Sequence, residues 1–430
     1  MARTSVELFA GGGGLVQAGT NAGFRHLLVN EYAKWACETL KANDFAAYPE
    51  GSSPPVPEEL KGGEEKTDKH KTPLVMGDVR KLNMTYLGER EVDLLAGGPP
   101  CQPFSLGGIA KGDEDERNMF PEMFRAVREI RPKVVLCENV RGLLRPSFEL
   151  YFQYIKRELE LPFVERADTT WQEHDNRLKD RLKAKDTDPA QQYEVLEFPV
   201  NAADYGVPQI RNRVILVAFR ADLGVDKGKF EAAVKETHSK RSLIRSFRDR
   251  TYWDRYPTVE KHVRDGVERL YRQEELQLDG EDSLAPWLTL RDALVGLPAI
   301  DLKKLDKKTP QGFPDHVGWP GARIYAGHTP NVLDYPAKTV KAGVHGVPGG
   351  ESVMLLDKRE RNLETGRLDY IHRYMTVRET ARVMTFGDKW NLMGPRGERM
   401  RQLGNAVPVG LGEVFAKAIY AALDDVESRS

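Results

Sequence analysis

The stretch Leu94-Leu95-Ala96-Gly97-Gly98-Pro99-Pro100-Cys101-Gln102-Pro103-Phe104-Ser105 sets one thiol directly after an apolar run and a Gly-Gly-Pro-Pro corner. Val92 to Ala96 reads as a buried strand, and two successive prolines end regular pairing at once. Ligands of α/β sheets bind at the carboxyl ends of the strands, so Cys101 has the position of a nucleophile. A lone cysteine is more often buried and inert, but Gly, Pro and Gln make a poor core and a stiff loop. A second group fits the chemistry. Val134-Val135-Leu136-Cys137 runs into Glu138-Asn139-Val140, and a carboxylate after such a run is partly desolvated, which favours the protonated acid. The bland alternative is a carboxylate that caps the next helix. Gln209, Arg211 and Arg213 alternate along one face of an extended segment. They are either a solvated edge or donors to phosphate or carbonyl oxygens, to both of which a guanidinium is suited.

These groups need a sheet to hold them, and the N-terminal third has its pattern. Ser5 to Ala10 reads as a strand that ends in Gly11-Gly12-Gly13-Gly14 and is followed by a helix from Leu15. Glycines between a first strand and a helix let a ligand approach the backbone and the helix amino end. A second strand, His26 to Val29, ends at Asn30-Glu31-Tyr32, and an acid there is where a ribose hydroxyl pair is usually held. The loop and Glu31 together favour an adenosine-type cofactor. Val75-Met76-Gly77-Asp78-Val79 adds a strand-end aspartate, which is either a turn cap or an acceptor for an adenine amino group.

The chain has 430 residues, a formal charge of −1 and three widely spaced cysteines, Cys37, Cys101 and Cys137. That length allows more than one domain, and near-neutrality means that a polyanion must be met by a local basic face. Odd, scattered cysteines argue against disulfides and zinc and for a reducing compartment. With no charged leader before Val6-Glu7-Leu8-Phe9 and no apolar run read as long enough to span a membrane, a soluble intracellular protein is expected. Cys37 reads as core packing. Asp44 to Pro73, poor in large apolar residues, is expected to be a surface insertion that does not order itself, and Glu165 to Gln192 an inserted solvated helix with Trp171, Leu178 and Leu182 as its stripe. Leu106 to Arg117 has the glycines of a loop that could close over a site.

Taken in order, the motifs resemble those of the bacterial DNA (cytosine-5) methyltransferases: Phe9-Ala10-Gly11-Gly12-Gly13-Gly14, Asn30-Glu31, Gly77-Asp78-Val79, Gly98-Pro99-Pro100-Cys101-Gln102, Asp115 with Arg117 and Asn118, Glu138-Asn139-Val140, Gln209-x-Arg211-x-Arg213, Thr376-Val377-Arg378-Glu379 and Arg401-Gln402-Leu403-Gly404-Asn405-Ala406-Val407-Pro408. The resemblance spans nearly the whole chain. It implies a Rossmann-like α/β methyltransferase sheet using S-adenosyl-L-methionine, with S-adenosyl-L-homocysteine as product. Phe9 would lie against the adenine, Glu31 on the ribose, Asp78 at the adenine amino group and the Gly11 to Gly14 backbone near the methionine part. Ala10, Val79, Pro100, Asn405 and Ala406 complete the implied cofactor set, and Tyr32 stands where many members have Trp. Cys101 would attack C6 of a cytosine turned out of the duplex, Glu138 would donate at N3 and the exocyclic amine, Arg213 would hold O2, and Gln209 and Arg211 would assist. Gly387 replaces the usual Pro of the family, and Gly107 leaves open which residue fills the gap in the duplex.

The resemblance thins between Arg220 and Tyr370, where a target-reading segment is expected. Lys227 to Arg272 is rich in Lys and Arg interleaved with Phe247, Tyr252, Trp253 and Tyr256, which points to phosphate contact. Gly318 to His328 and Lys338 to Gly350 read as loops able to follow a groove and touch base edges. His316, His328 and His345 are too irregularly spaced for a metal set, so no metal is expected. The expected division is a catalytic domain of 1–240 with 395–430 and a smaller DNA-recognition domain of 241–394. The expected partner is double-stranded DNA, with no membrane, a monomeric enzyme in the bacterial cytoplasm at the nucleoid, and restriction or phage-defence proteins as associates. Two other readings remain: a cytosine-5 tRNA methyltransferase, which duplex DNA against tRNA as acceptor separates, and a non-catalytic DNA-binding protein, which intact Cys101, Glu138 and Arg213 oppose.

Overall fold

The computed structural model describes residues 2–429 apart from 60–66, 89, 101–117, 276–281, 306–312, 325, 326, 328, 344–351, 362, 364 and 365. In chain order the elements are β1 (Thr4–Leu8), α1 (Gly14–Asn21), β2 (Arg25–Glu31), α2 (Lys34–Ala42), β3 (Ala46–Tyr48), β4 (Pro73–Met76), β5 (Leu94–Gly97), α3 (Phe120–Ile130), β6 (Val134–Val140), α4 (Glu149–Glu160), α5 (Trp171–Ala184), β7 (Tyr193–Asn201), β8 (Asn212–Arg220) and α6 (Lys227–Ala233). They continue with β9 (His238–Ser239), α7 (Lys240–Arg248), α8 (Thr251–Arg255), α9 (Lys261–Glu275), β10 (Ala285–Pro286), α10 (Leu290–Leu294), β11 (Val353–Arg361), β12 (Leu368–Tyr374), α11 (Val377–Val383), α12 (Arg396–Asn405) and α13 (Val409–Arg429). The chain divides into two compact units, one of Met1–Val200, Asn212–Val234 and Gly412–Ser430, the other of Asn201–Arg211 and Lys235–Leu411. The boundaries differ from those expected: α12 goes with the second unit, and so does the short stretch Asn201–Arg211.

The first unit is an eight-stranded sheet in the order β3-β4-β2-β1-β5-β6-β8-β7. Neighbours from β3 to β6 run parallel, and β8 joins β6 antiparallel. Val6, Leu8, Leu28 and Leu95 are fully buried, as strands covered on both faces require. The chain leaves β1 for β2 on one side and later returns to β5 on the other, so the carboxyl ends of β1 and β5 flank the point where the strand order reverses, which is where such sheets bind ligands. On α3, Phe120, Met123, Phe124 and Val127 are buried at helical spacing and pack on this sheet. Cys37 and Cys137 are buried thiols, each pushed up to about 12 by burial.

The insertion expected to lack order contributes β3, an edge strand parallel to β4. Ala46-Ala47-Tyr48 gains its order from the ladder, which offers backbone partners that composition does not reveal. α5 forms as expected, capped by Thr170 and Glu173. α13 returns to the sheet: Arg3 donates to Asp424 at 2.6 Å and Glu427 at 3.0 Å, and Asp93 accepts from Arg3 and Lys133. The stretch Arg396–Arg429 is long and apolar enough to cross a membrane by length and hydropathy, contrary to the sequence expectation, but 61% of its apolar window is buried within the protein, as in a core helix.

Among the described residues the second unit includes two hydrophobic clusters. Leu243, Ile244, Phe247, Tyr252 and Trp253 join Tyr271 and Trp287 in one, so three of the four aromatics expected among the phosphate-facing cations are core residues. Leu290, Ala337, Met354, Met375 and Val383 form the other, beside the β11–β12 hairpin. Thr376 and Glu379 cap α11 reciprocally, and Glu379 also takes a buried bidentate pair with Arg373.

Candidate active site

β1 ends in a turn in which Phe9, Gly11 and Gly13 have φ of 58°, 54° and 88°. Left-handed backbone is ordinary for glycine and strained for Phe9, and it ends with Gly13 as the N-cap of α1. The turn is held by Ala10 N donating to Asn30 O at 3.1 Å and Gly13 N to Ala10 O at 2.9 Å. Gly14 begins the helix.

Glu31, at the end of β2, faces this turn. One carboxylate oxygen accepts from Gly11 N at 2.6 Å, the other from Tyr32 N at 2.9 Å and Ala33 N at 2.6 Å. Burial pushes its carboxyl above the ordinary value, against the three N–H groups that favour the charged form. Tyr32 is 76% exposed, its ring open to a stacking partner. Asp78 follows β4, where its carboxylate accepts from Arg80 N and is gripped by the Arg80 guanidinium at 2.5–3.0 Å, which with the other Arg80 contacts holds it below the usual range. Its own N–H donates to Glu50 at 2.9 Å, and Glu50 is also paired with Lys81 at 2.6 Å. Glu50 belongs to the insertion after α2 and carried no signal in the sequence. Val79 is buried and starts the next turn.

At the end of β5, Pro99 O accepts from Asn139 Nδ2 at 3.1 Å and Pro100 O from Met119 N at 3.4 Å. Both carbonyls before Cys101 are therefore fixed; Cys101 lies outside the described residues, as does the loop of 106–117. Asn139 was missed as a functional residue although it neighbours Glu138. Its side-chain oxygen accepts from Val140 N, which leaves the amide free to face Pro99.

Glu138, at the end of β6, pairs with Arg213 at 2.7 Å, with side chains 10% and 12% exposed. The antiparallel register of β6 and β8 sets Val140 opposite Arg213 and so brings the start of β8 to the carboxyl end of β6. Desolvation of the carboxylate thus comes with a cationic partner, which the sequence reading had placed on the substrate. A Cβ on Gly98 would lie 3.4 Å from Glu138, so the Gly-Pro-Pro corner and the ion pair are neighbours.

Gln209 and Arg211 belong to the second unit and Arg213 to the first, although all three alternate in sequence. The unit boundary falls between Arg211 and Asn212. Arg211 donates to Val340 O, Gly404 O and Ala406 O, and Gln209 to Met384 Sδ. Asn405, which ends α12, and Ala406 also lie in the second unit. His316 bonds Thr376 and faces Pro298 O, while His328 and His345 lie outside the described residues.

A mostly parallel sheet with a glycine turn after β1, an acid after β2 and a Pro-Pro corner after β5 matches the Rossmann-like methyltransferase fold. Solved structures of similar fold include a DNA modification methyltransferase encoded within a prophage of Escherichia coli, with a TM-score of 0.54 and 19% identity over 98% of this chain and 100% of that one. Another is the Spodoptera frugiperda DNMT2 mutant, with a TM-score of 0.53 and 15% identity over 97% of this chain and 100% of that one. Residues 66–161 and 190–421 match the C-5 cytosine-specific DNA methylase family, and the chain belongs to it. It is 29% identical to the Type II methyltransferase M.Eco47II of Escherichia coli, over 99% of this chain and 81% of that protein. It is 28% identical to M.PspPI of a Psychrobacter strain, over 97% and 79%. The protein is a DNA (cytosine-5-)-methyltransferase.

Proposed function

We propose that this enzyme methylates C5 of a cytosine rotated out of a specific duplex site, through a transient bond between Cys101 Sγ and C6. The carrying observation is the buried Glu138–Arg213 pair beside the Pro99-Pro100 corner. C5 of cytosine is a weak nucleophile, and addition of a thiolate at C6 turns the ring into an enamine-like donor. Glu138 gives a proton to N3 as negative charge moves onto the ring, and Arg213 holds both that carboxyl and the O2 carbonyl, so charge is met where it develops. Asn139 and Met119 fix the carbonyls of Pro99 and Pro100, which sets the origin of the chain at Cys101. A base then takes the C5 proton, the sulfur leaves, and N3 returns its proton to Glu138. Such chemistry needs the base outside the stack.

The residues present fit S-adenosyl-L-methionine: a glycine turn with left-handed backbone at Gly11 and Gly13, a buried carboxylate at Glu31 and a second acid at Asp78. When bound, the cofactor supplies the electrophilic methyl group that C5 takes. Glu31 would accept from the ribose hydroxyls, Asp78 from the adenine amino group, Phe9 and Tyr32 would lie against the rings, and the Gly11 to Gly14 backbone would border the methionine part. Relatives named as Type II methyltransferases support a modification role beside a restriction or phage-defence nuclease.

The test is a covalent trap. Duplex DNA carrying 5-fluorocytosine at the target should hold the native enzyme in a complex that survives denaturation, and Cys101→Ser should form none while binding cofactor as before. Methyl groups found on the exocyclic nitrogen of the product would discard this mechanism.

A further inference from the structure

Gln209 and Arg211 are 0% and 1% exposed. Both lie along a parallel bridge between Pro208–Arg211 and Ala337–Val340 in the second unit. Ile210 N donates to Ala337 O at 2.8 Å, Ala337 N to Pro208 O at 2.9 Å, and Thr339 Oγ1 to Ile210 O at 2.7 Å. Side chains then take over from backbone. Val340 N donates to Gln209 Oε1 at 2.9 Å, and Arg211 Nη1 donates to Val340 O at 2.9 Å. The other arm of the guanidinium donates to Gly404 O at 2.8 Å and Ala406 O at 2.9 Å. A Cβ on Gly404 would collide with Ala342 N, so the last turn of α12 rests on the backbone of Lys341 and Ala342.

Each of these bonds joins Pro208–Arg211 to Ala337–Val340 or to the turn of Gly404 and Ala406. A buried side chain already holding backbone groups cannot swing to a substrate without orphaning them, and each orphan carries the full desolvation penalty. We propose that Gln209 and Arg211 are positioning residues for target recognition: they fix the backbone of Lys338–Gly343 against DNA and take no part in the chemistry at C5 and C6. The motif Gln209-x-Arg211-x-Arg213 thereby divides its work at the unit boundary, Arg213 to the reacting ring and the other two to the reader. This rests on the reading of Lys338–Gly343 as a DNA-contacting segment of a cytosine-5 methyltransferase.

The experiment uses the full chain with S-adenosyl-L-methionine, a duplex carrying the target site found by sequencing methylated DNA, and the same duplex with one base pair changed. Gln209→Leu removes the acceptor of Val340 N at similar volume, and Thr339→Val removes the bond to Ile210 O from the opposite strand. Each variant should raise KM for DNA about tenfold and lower the ratio of target to altered-site methylation about tenfold, with the single-turnover rate at saturating target DNA within about threefold of native. A single-turnover rate cut a hundredfold, with KM and the ratio unchanged, overturns the proposal and returns Gln209 to the chemistry. Where Gln209→Leu fails to fold, Thr339→Val decides alone, and an unchanged KM and ratio there overturn it equally. A native enzyme that methylates no duplex site sinks the functional reading and the proposal together, whereas the other negative results sink the proposal alone.

Discussion

Removing either partner of the Glu138–Arg213 pair should be nearly as damaging as removing both. At 2.7 Å and an effective dielectric of about 20, the attraction is about 6 kcal/mol before desolvation is counted. Both side chains are roughly nine-tenths buried, so deleting one strands the other without a partner, a loss of about 3–5 kcal/mol in such pairs. Arg213→Ala and Glu138→Gln should each slow single-turnover methyl transfer about 10²–10³-fold, the range found for loss of one charge-stabilising donor. The double variant should fall within about threefold of the slower single one, because neither group does its work without the other. That corresponds to a coupling energy of about 2–4 kcal/mol in a double-mutant cycle. The assay is quenched-flow transfer of labelled methyl groups to saturating duplex DNA, with cofactor affinity measured in parallel to show that the sheet is intact. Losses that multiply, to about 10⁵-fold in the double variant, would refute the reasoning and make the two residues independent contacts to the ring.

Three further outcomes follow from buried carboxyls. Glu31→Ala, which removes the acceptor facing Gly11, should weaken cofactor binding about 10–100-fold by calorimetry; unchanged affinity would take Glu31 out of the cofactor site. Burial pushes the Glu7 carboxyl well above 4.5, so its contribution to stability is complete at low pH and is lost as pH rises through the raised value. Glu7→Gln should match native stability near pH 4.5 and exceed it near pH 8, and a constant difference across that range in urea unfolding would contradict this. Glu379 is the opposite case: burial raises its carboxyl, but the Arg373 pair outweighs burial and holds it below 4.5. Its contribution is present above 4.5 and lost as pH falls through the lowered value. Glu379→Gln should destabilise the protein by about 3–5 kcal/mol at pH 7, with the gap to native closing in acid, and an unfolding midpoint within error of native at pH 7 would argue against the pair.

The sheet was legible from sequence because its signals are local. Apolar runs ending in Gly, Asp, Glu or Pro-Pro marked β1, β2, β4, β5 and β6, and strand ends are where the site residues had to be. Glu138 and Arg213 were each identified, but their bond was not, because it depends on the register of β6 against β8, which no local pattern encodes. Gln209 and Arg211 show a limit of another kind: period-two spacing puts them on one face with Arg213, but their bonds to Val340 join segments far apart in the chain, which spacing does not encode. Glu50 and β3 were hidden by a composition that reads as loop, and Phe247, Tyr252 and Trp253 by cationic neighbours that masked a core.

The ion cluster that joins Arg3 to Asp424 and Glu427 spans 421 to 424 positions of chain. On a ribosome adding about 5–20 residues per second, Arg3, which also pairs with Asp93, waits roughly 20–85 s for these two C-terminal carboxylates. By then the second unit, which ends at Leu411, has already been synthesised. The order of translation therefore places Lys235–Leu411 ahead of the last residues that complete the first unit.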